Sequence, residues 1–215
     1  MMDKPTSRML TLAATSALAA LVALPVALAC AQSERSGIGL GDRAPMADHR
    51  MRNVDGQRVS IADAAGQRGT LVVFTCNHCP WAQAWESRLT ELGNAYGSRG
   101  IGVIAINSND PARAPDDDFD HMVERHRNAG MRFPYVVDAT SGVARAFGAT
   151  RTPEVYLFDR RGRLVYHGAI DDNAHEPDQV QRRYLRDALE AVVAGRSVPT
   201  AETRSIGCTI KFAPE

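Results

Sequence analysis

Two cysteines, Cys76 and Cys79, stand two residues apart directly behind the apolar run at residues 71–74. An apolar strand followed at once by a Cys-x-x-Cys motif and a helix is typical of a thiol–disulfide redox site. Unpaired N–H groups and the positive dipole end at a helix start favour a thiolate. The sequence therefore predicts that Cys76 is the exposed thiol with the lowered pKa, and that Cys79 lies close enough to close a disulfide with it.

The same cysteine spacing also occurs in zinc sites, which is the main alternative for this motif. A structural zinc site usually takes four ligands, and the sequence has neither a second Cys-x-x-Cys motif nor a His-x-x-x-His motif. The sequence therefore favours redox chemistry, and we expect no metal and no cofactor.

Two further residues are candidates for the site. His78 immediately precedes the second cysteine, so its imidazole is placed to donate a hydrogen bond to a Cys76 thiolate. A solvent-exposed loop histidine is the alternative. Cys208 is either a third redox cysteine on a tail that folds back to the motif, or a small buried residue. We expect Cys208 to be dispensable for basic disulfide exchange, because Cys76 and Cys79 already form a complete attacking and resolving pair.

Residues 1–30 have the features of an export signal. Lys4 and Arg8 precede an uncharged run rich in Leu and Ala, which ends in a small-x-small pattern at residues 27–29. Cys30 follows directly, so the expected mature protein is either soluble or anchored by a lipid on Cys30. An uncleaved membrane anchor is the alternative, because the run is just long enough to span a bilayer. The predicted location is periplasmic or exported.

Composition indicates one exported domain and no nucleic-acid partner. The 215 residues include 25 basic and 25 acidic side chains, so the formal net charge is zero. We assign residues 31–40 to a polar linker, 41–195 to the domain and 196–215 to a C-terminal tail. The expected partners are protein or small-molecule disulfides and an upstream redox partner. Membrane contact is expected only through the signal region or a lipid on Cys30.

The patterns along residues 41–195 alternate between strand and helix. Strands are predicted in a hairpin ending near residue 61, at 71–75, 101–106 and 133–137, and in a second hairpin at 155–158 and 164–166, with helices at 81–96, 119–129, 143–147 and 180–192. The acids at 116–120 are expected at the start of the second helix, where the helix dipole favours negative charge. This order predicts an α/β fold with a mixed central sheet and helices on both faces.

That order, with the Cys-x-x-Cys motif after the first core strand and Thr152-Pro153 before the second hairpin, resembles the thioredoxin fold over about residues 41–195. The opening at 41–45 and the hairpin behind it are similar to the redoxin branch, which includes AhpC/TSA and TlpA-like proteins. Residues 133–149 resemble the insert that this branch carries before the proline. The segments 76–80, 105–110 and 206–211 resemble a bacterial subgroup of peroxiredoxin-like proteins of the thioredoxin family.

The resemblance carries expectations about the site. It implies a cis peptide bond at Pro153 facing the cysteines, with the N–H and carbonyl of Thr152 free to pair with an extended substrate backbone. Thioredoxins also hold a buried carboxylate under the motif. Residues 71–75 contain no acid, so proton transfer is expected to use water or another group.

The sequence therefore predicts an exported thiol–disulfide oxidoreductase in which Cys76 attacks a substrate disulfide and Cys79 resolves the mixed disulfide. One alternative is a peroxiredoxin-like thiol peroxidase, in which peroxide oxidises Cys76 to a sulfenic acid. The spacing of Thr75 to the cysteines does not match the peroxiredoxin motif. Another alternative is Sco-like copper handling, with His167 or His175 as third ligand, although Sco-type proteins carry three residues between the cysteines.

Overall fold

The structure is a computed structural model that describes residues 37–214. The predicted signal at residues 1–30, Cys30 and most of the linker lie outside the described residues. The strands are β1 (Met51–Asn53), β2 (Arg58–Val59), β3 (Gly69–Phe74), β4 (Ile101–Asn107), β5 (Tyr135–Val137), β6 (Arg151–Thr152), β7 (Glu154–Asp159), β8 (Leu164–Gly168) and β9 (Cys208–Thr209). The helices are α1 (Pro80–Gly97), α2 (Phe119–Ala129), α3 (Gly142–Phe147) and α4 (Tyr184–Val193), with short 3-10 turns at Pro115–Asp117 and Pro177–Gln179.

Seven strands form the central sheet, in the order β2-β1-β5-β4-β3-β7-β8. Strand β3 is at its centre, parallel to β4 and antiparallel to β7. All six residues of β3 are buried, as expected for an uninterrupted apolar run that is covered on both faces. The predicted mixed sheet is confirmed. Because β3 and β4 are parallel, their carboxyl ends lie at the same edge of the sheet, and the cysteine motif begins there.

Alternation along β3 divides the core between the two faces of the sheet. Leu71 and Val73 belong to the cluster that includes apolar residues of α1, α2 and α4. Val72 and Phe74 belong to a second cluster with α3, where the Phe74 and Phe147 rings meet edge to face at 5.2 Å. Helices therefore cover both faces, as predicted.

Helix boundaries follow local capping. Helix α2 has the predicted span, because the Asp118 side chain accepts the His121 N–H at its start and Gly130 takes a left-handed φ of 68° at its end. Helix α4 begins later than predicted, because Val180 ends the turn Pro177–Gln179 instead of starting the helix. Within residues 37–214, none of the helices combines the length and apolar character needed to span a membrane.

The C-terminal tail is ordered along the domain surface. Its strand β9 pairs antiparallel with β6, opposite the two residues that precede Pro153. Ile210 is 3% exposed and joins the core, and its N–H donates to the Thr150 carbonyl at 3.0 Å. The tail thus lies across the end of the sheet where the cysteines are.

Candidate active site

The two cysteines occupy the turn between β3 and α1. Pro80 is the first residue of α1, where a missing N–H costs nothing, and Cys79 is the N-cap residue. Both cysteines are free thiols. Cys76 is 2% exposed and Cys79 is 0% exposed. The parallel sheet edge and the helix start therefore hold the pair beneath the surface.

Thr152 contacts both sulfurs. The Cys76 Sγ lies 3.1 Å from the Thr152 hydroxyl, and the Cys79 thiol donates to the Thr152 carbonyl at 3.0 Å. The two cysteines also belong to one buried cluster, and each thiol shifts the pKa of the other. The Thr152–Pro153 peptide bond is cis, as predicted. Residues far apart in sequence thus meet in one compact group of two thiols and one threonine.

The prediction that Cys76 is an exposed thiol is wrong, because Cys76 is 2% exposed. The hydrogen bond to Cys79, burial and the nearby Asp117 carboxylate all raise the pKa of the Cys76 thiol. The contact from Cys76 lowers the pKa of Cys79, with further hydrogen bonds from Cys208 and the Ala82 N–H. Cys79 is also the N-cap residue of α1, which places it at the positive end of the helix dipole.

A buried carboxylate beside the motif comes from Asp117, which is 3% exposed. It accepts the Asn77 N–H at 2.5 Å, the Asn109 side-chain amide at 2.7 Å, and a hydrogen bond shared with His78 Nδ1 at 2.6 Å. His78 Nδ1 therefore bonds to Asp117, and the predicted hydrogen bond from His78 to Cys76 is not formed. Ligand-type atoms of Cys76, His78 and Asp117 nevertheless all lie within 4.8 Å of one another.

For the acids at 116–120 the sequence predicts only a place at a helix start, and so it does not identify Asp117 as a site residue. That assignment holds for Asp118, the N-cap of α2, but Asp117 turns inward. A usable signal was the polar run Asn107-Ser108-Asn109, because a buried strand that ends in buried polar residues needs partners for them. Asn107 and Asn109 both donate to Asp117.

Asn77 fixes the turn between the cysteines. Its side-chain oxygen accepts the Tyr135 hydroxyl at 3.0 Å, and its carbonyl accepts from Gln83 at 2.8 Å and from Arg125 at 2.9 Å. Burial raises the pKa of Tyr135 well above its usual range, so this hydroxyl stays a donor. Beside the turn lies a polar groove of about 400 Å³, lined in part by His78, Gln83 and Arg125.

The histidines proposed as copper ligands lie elsewhere. His167 bonds to Glu154 at 2.6 Å and stacks on Tyr156, and the His175 ring packs against Trp81 at 4.8 Å. Within residues 37–214, the grouping of potential metal ligands that includes a site cysteine contains neither histidine. The expectation that His167 or His175 completes a copper site is therefore not supported by the structure.

The tail brings Cys208 to the site. Cys208 is the register partner of Thr152, and its side chain packs against the cluster that contains Cys76 and Cys79. Burial and this contact raise the pKa of Cys208 to about 11. Of the two predicted alternatives, the tail that folds back to the motif is the one observed. The expectation that Thr152 is free to pair with a substrate backbone is wrong, because β9 already pairs there.

The sequence profile of the AhpC/TSA family matches residues 40–167. An uncharacterized conserved protein from Geobacillus kaustophilus is 38% identical with a TM-score of 0.76, covering 82% of this chain and 94% of that chain. A thioredoxin-like protein solved in its oxidized form is 22% identical with a TM-score of 0.57 over 72% of this chain and 98% of that one, which supports the predicted thioredoxin-like fold. The thiol-disulfide oxidoreductase ResA of Halalkalibacterium halodurans is 24% identical over 54% of this chain, which spans 61% of that relative.

Proposed function

This chain belongs to the AhpC/TSA family, and on that premise we propose that it is an exported thiol–disulfide oxidoreductase that works through Cys76 and Cys79. The observation that carries the proposal is the pair of free thiols that both contact Thr152, beside a cis proline. A similar chain that is named thiol-disulfide oxidoreductase supports it.

The reaction follows from the charge distribution in the reduced pair. The Cys79 thiolate accepts the proton of Cys76 as the Cys76 sulfur attacks one sulfur of a substrate disulfide, and the first substrate thiolate leaves. The departing substrate thiolate takes this proton from Cys79, which becomes a thiolate again. Cys79 then attacks the Cys76 sulfur of the mixed disulfide and expels the second substrate thiolate, which takes a proton from water. Two substrate thiols and one Cys76–Cys79 disulfide result.

Asp117 and His78 are proposed as positioning residues for this step. A negative carboxylate beside Cys76 opposes a standing thiolate there, so the charge resides on Cys79 until a substrate disulfide arrives. His78 is 30% exposed in its side chain and bonds to the buried carboxylate, so it connects Asp117 to solvent. This pair gives the site a path for protons that does not pass through the sheet.

The proposed substrates are disulfides of proteins or small molecules, and an upstream redox partner restores the working form. Export rests on the sequence of residues 1–30, and a lipid on Cys30 is the proposed anchor of a membrane-bound form. Cell fractionation of the full chain and its Cys30→Ser variant tests both. We expect the wild type in an exported fraction, and a shift from membrane to soluble fractions on substitution if Cys30 is lipidated.

Turbidimetric reduction of insulin by dithiothreitol tests the activity. The wild type is expected to accelerate it, whereas Cys76→Ser and Cys79→Ser are expected to lose the acceleration. Cys30→Ser, the same chemical change outside the site, should retain it. Peroxide consumption that exceeds insulin reduction would favour the peroxidase, and stoichiometric copper in anaerobically purified protein would favour copper handling. Insulin reduction that persists in Cys76→Ser would contradict the proposal.

A further inference from the structure

The tail occupies the place where an extended client would pair. Thr152 contacts Cys76 through its hydroxyl and Cys79 through its carbonyl, and Cys208 of β9 is its register partner. In strand-addition recognition, a client backbone binds at a free edge of this kind. Here the chain supplies the strand itself, and a cysteine stands at the register position nearest the redox pair.

Contacts with the domain hold the tail in place on both sides of Cys208. Downstream, the Lys211 N–H donates to Asn109 Oδ1 at 2.7 Å, and its carbonyl accepts the Asp110 N–H at 2.7 Å. Upstream, Gly207 lies so close to Thr152 that a Cβ at this position would stand 2.2 Å from the Thr152 carbonyl oxygen. Glycine is therefore required for this approach, and the position of Cys208 is built into the backbone.

The three thiols differ in access. Cys76 is 2% exposed and Cys79 is 0% exposed, whereas Cys208 is half-buried. Cys208 packs against the cluster that contains Cys76 and Cys79. It is thus the thiol of this cluster that an external thiol or disulfide reaches most readily.

We propose that Cys208 is a third redox residue, which carries the disulfide between the buried Cys76–Cys79 pair and external thiols. This inference rests on the proposed function and assigns the point at which electrons enter the site. It replaces the sequence-based expectation that Cys208 is dispensable, because Cys208 packs against the buried pair. In the first step, the Cys208 thiolate attacks the Cys79 sulfur of the Cys76–Cys79 disulfide. The Cys79–Cys208 bond forms, the Cys76–Cys79 bond breaks, and Cys76 leaves as a thiolate that takes up the proton released by Cys208. No oxidant or reductant is consumed.

In the second step, an external dithiol attacks the half-buried Cys208 sulfur and Cys79 leaves as a thiolate. The contacts from Cys76 and the Ala82 N–H stabilise this leaving group. The second thiol of the external reductant then attacks its own sulfur in the mixed disulfide, which releases Cys208 and an oxidised external disulfide. Two electrons and two protons pass from the dithiol to the protein.

Disulfide mapping by mass spectrometry tests the first step. Cys76→Ser protein oxidised with diamide is expected to contain a Cys79–Cys208 disulfide. Cys79→Ser is the matched control and is expected to contain no Cys76–Cys208 disulfide, because the Cys76 sulfur contacts Thr152 and Cys79. Adding Gly207→Ala to Cys76→Ser should abolish the Cys79–Cys208 bond, whereas Gly207→Ala alone should still form Cys76–Cys79.

Stopped-flow reduction by dithiothreitol tests the second step. Cys208→Ser is expected to slow reduction of the Cys76–Cys79 disulfide by about 10-fold or more, because the external thiol must then attack a buried sulfur. Absence of Cys79–Cys208 in oxidised Cys76→Ser, or an unchanged rate in Cys208→Ser, would overturn this inference and leave the proposed function intact. If the wild type itself forms no Cys76–Cys79 disulfide, the proposed function fails as well.

Discussion

Replacing Asp117 with Asn tests the buried carboxylate selectively, because the side chain keeps its size and loses its charge and one acceptor oxygen. The native carboxylate accepts from Asn77, His78 and Asn109 at 2.5, 2.6 and 2.7 Å. In the variant, the oxygen of the new side-chain amide can still accept the Asn77 N–H. The NH₂ group of that amide then faces His78 and Asn109. His78 can change tautomer and accept. The Asn109 side-chain amide cannot turn without losing the hydrogen bond that its Oδ1 accepts from the Lys211 N–H.

One charge-assisted hydrogen bond is therefore lost, and Asp117→Asn is expected to lower the free energy of unfolding by about 1.5–3 kcal/mol. The substitution also removes a negative charge that raises the pKa of Cys76, so that pKa should fall. Urea unfolding of the reduced protein measures the first effect. The second is measured as iodoacetamide alkylation of Cys76 against pH, in a chain whose Cys79 and Cys208 are replaced by Ser.

Asp116→Asn is the matched control, because this neighbouring aspartate is exposed and bonds to Asn77 through its backbone carbonyl, which the substitution leaves in place. Its unfolding free energy should change by no more than about 0.5 kcal/mol. The reasoning is refuted if Asp117→Asn unfolds like Asp116→Asn, or if alkylation of Cys76 moves to higher pH.

Three further outcomes are expected. Thiolate absorbance of the reduced wild type should persist below the ordinary cysteine pKa of about 8.5, because the Cys76 contact lowers the pKa of Cys79; its absence at neutral pH would contradict this. Glu154→Gln should destabilise the protein by about 1.5–3 kcal/mol at neutral pH. Burial raises the pKa of Glu154, but its hydrogen bonds lower that pKa overall. The contribution of Glu154 to the free energy of unfolding is therefore lost as the pH falls through its pKa. The unfolding free energy of the variant should accordingly depend less on pH in the acid range than that of the wild type. Tyr135→Phe should cost about 1–3 kcal/mol in urea unfolding, because the buried Asn77 oxygen loses its hydroxyl donor, and an unchanged midpoint would count against this contact.

The order of elements was predictable because local patterns determine them. The apolar run of β3, the helical spacing of α1 and the acid and glycine at the ends of α2 each carry their own signal. The start of α4 was not predictable, because a proline turn displaced Val180 from the helix. Apolar periodicity alone does not distinguish these two environments.

Of the site, only the two cysteines that exchange disulfide bonds were predictable from the sequence. The spacing of Cys76 and Cys79 is visible in the sequence, whereas the depth of burial and the direction of the helix N–H groups depend on the fold. Asp117 reaches the cysteines because α2 follows β4 across the sheet edge, and an acid in an acidic stretch gives no local sign of turning inward. Cys208 reaches them through pairing of β9 with β6, which is a long-range contact with a two-residue signature.

A redox titration of the intact protein tests whether Cys76 and Cys79 form the working disulfide. The protein is equilibrated in glutathione buffers of graded ratio, trapped by alkylation, and mapped by mass spectrometry. We expect one two-electron transition that forms a disulfide between Cys76 and Cys79, with a reduction potential between about −270 and −120 mV. If Cys76 and Cys79 do not form a disulfide with each other at any ratio, while the protein remains folded, the account is contradicted.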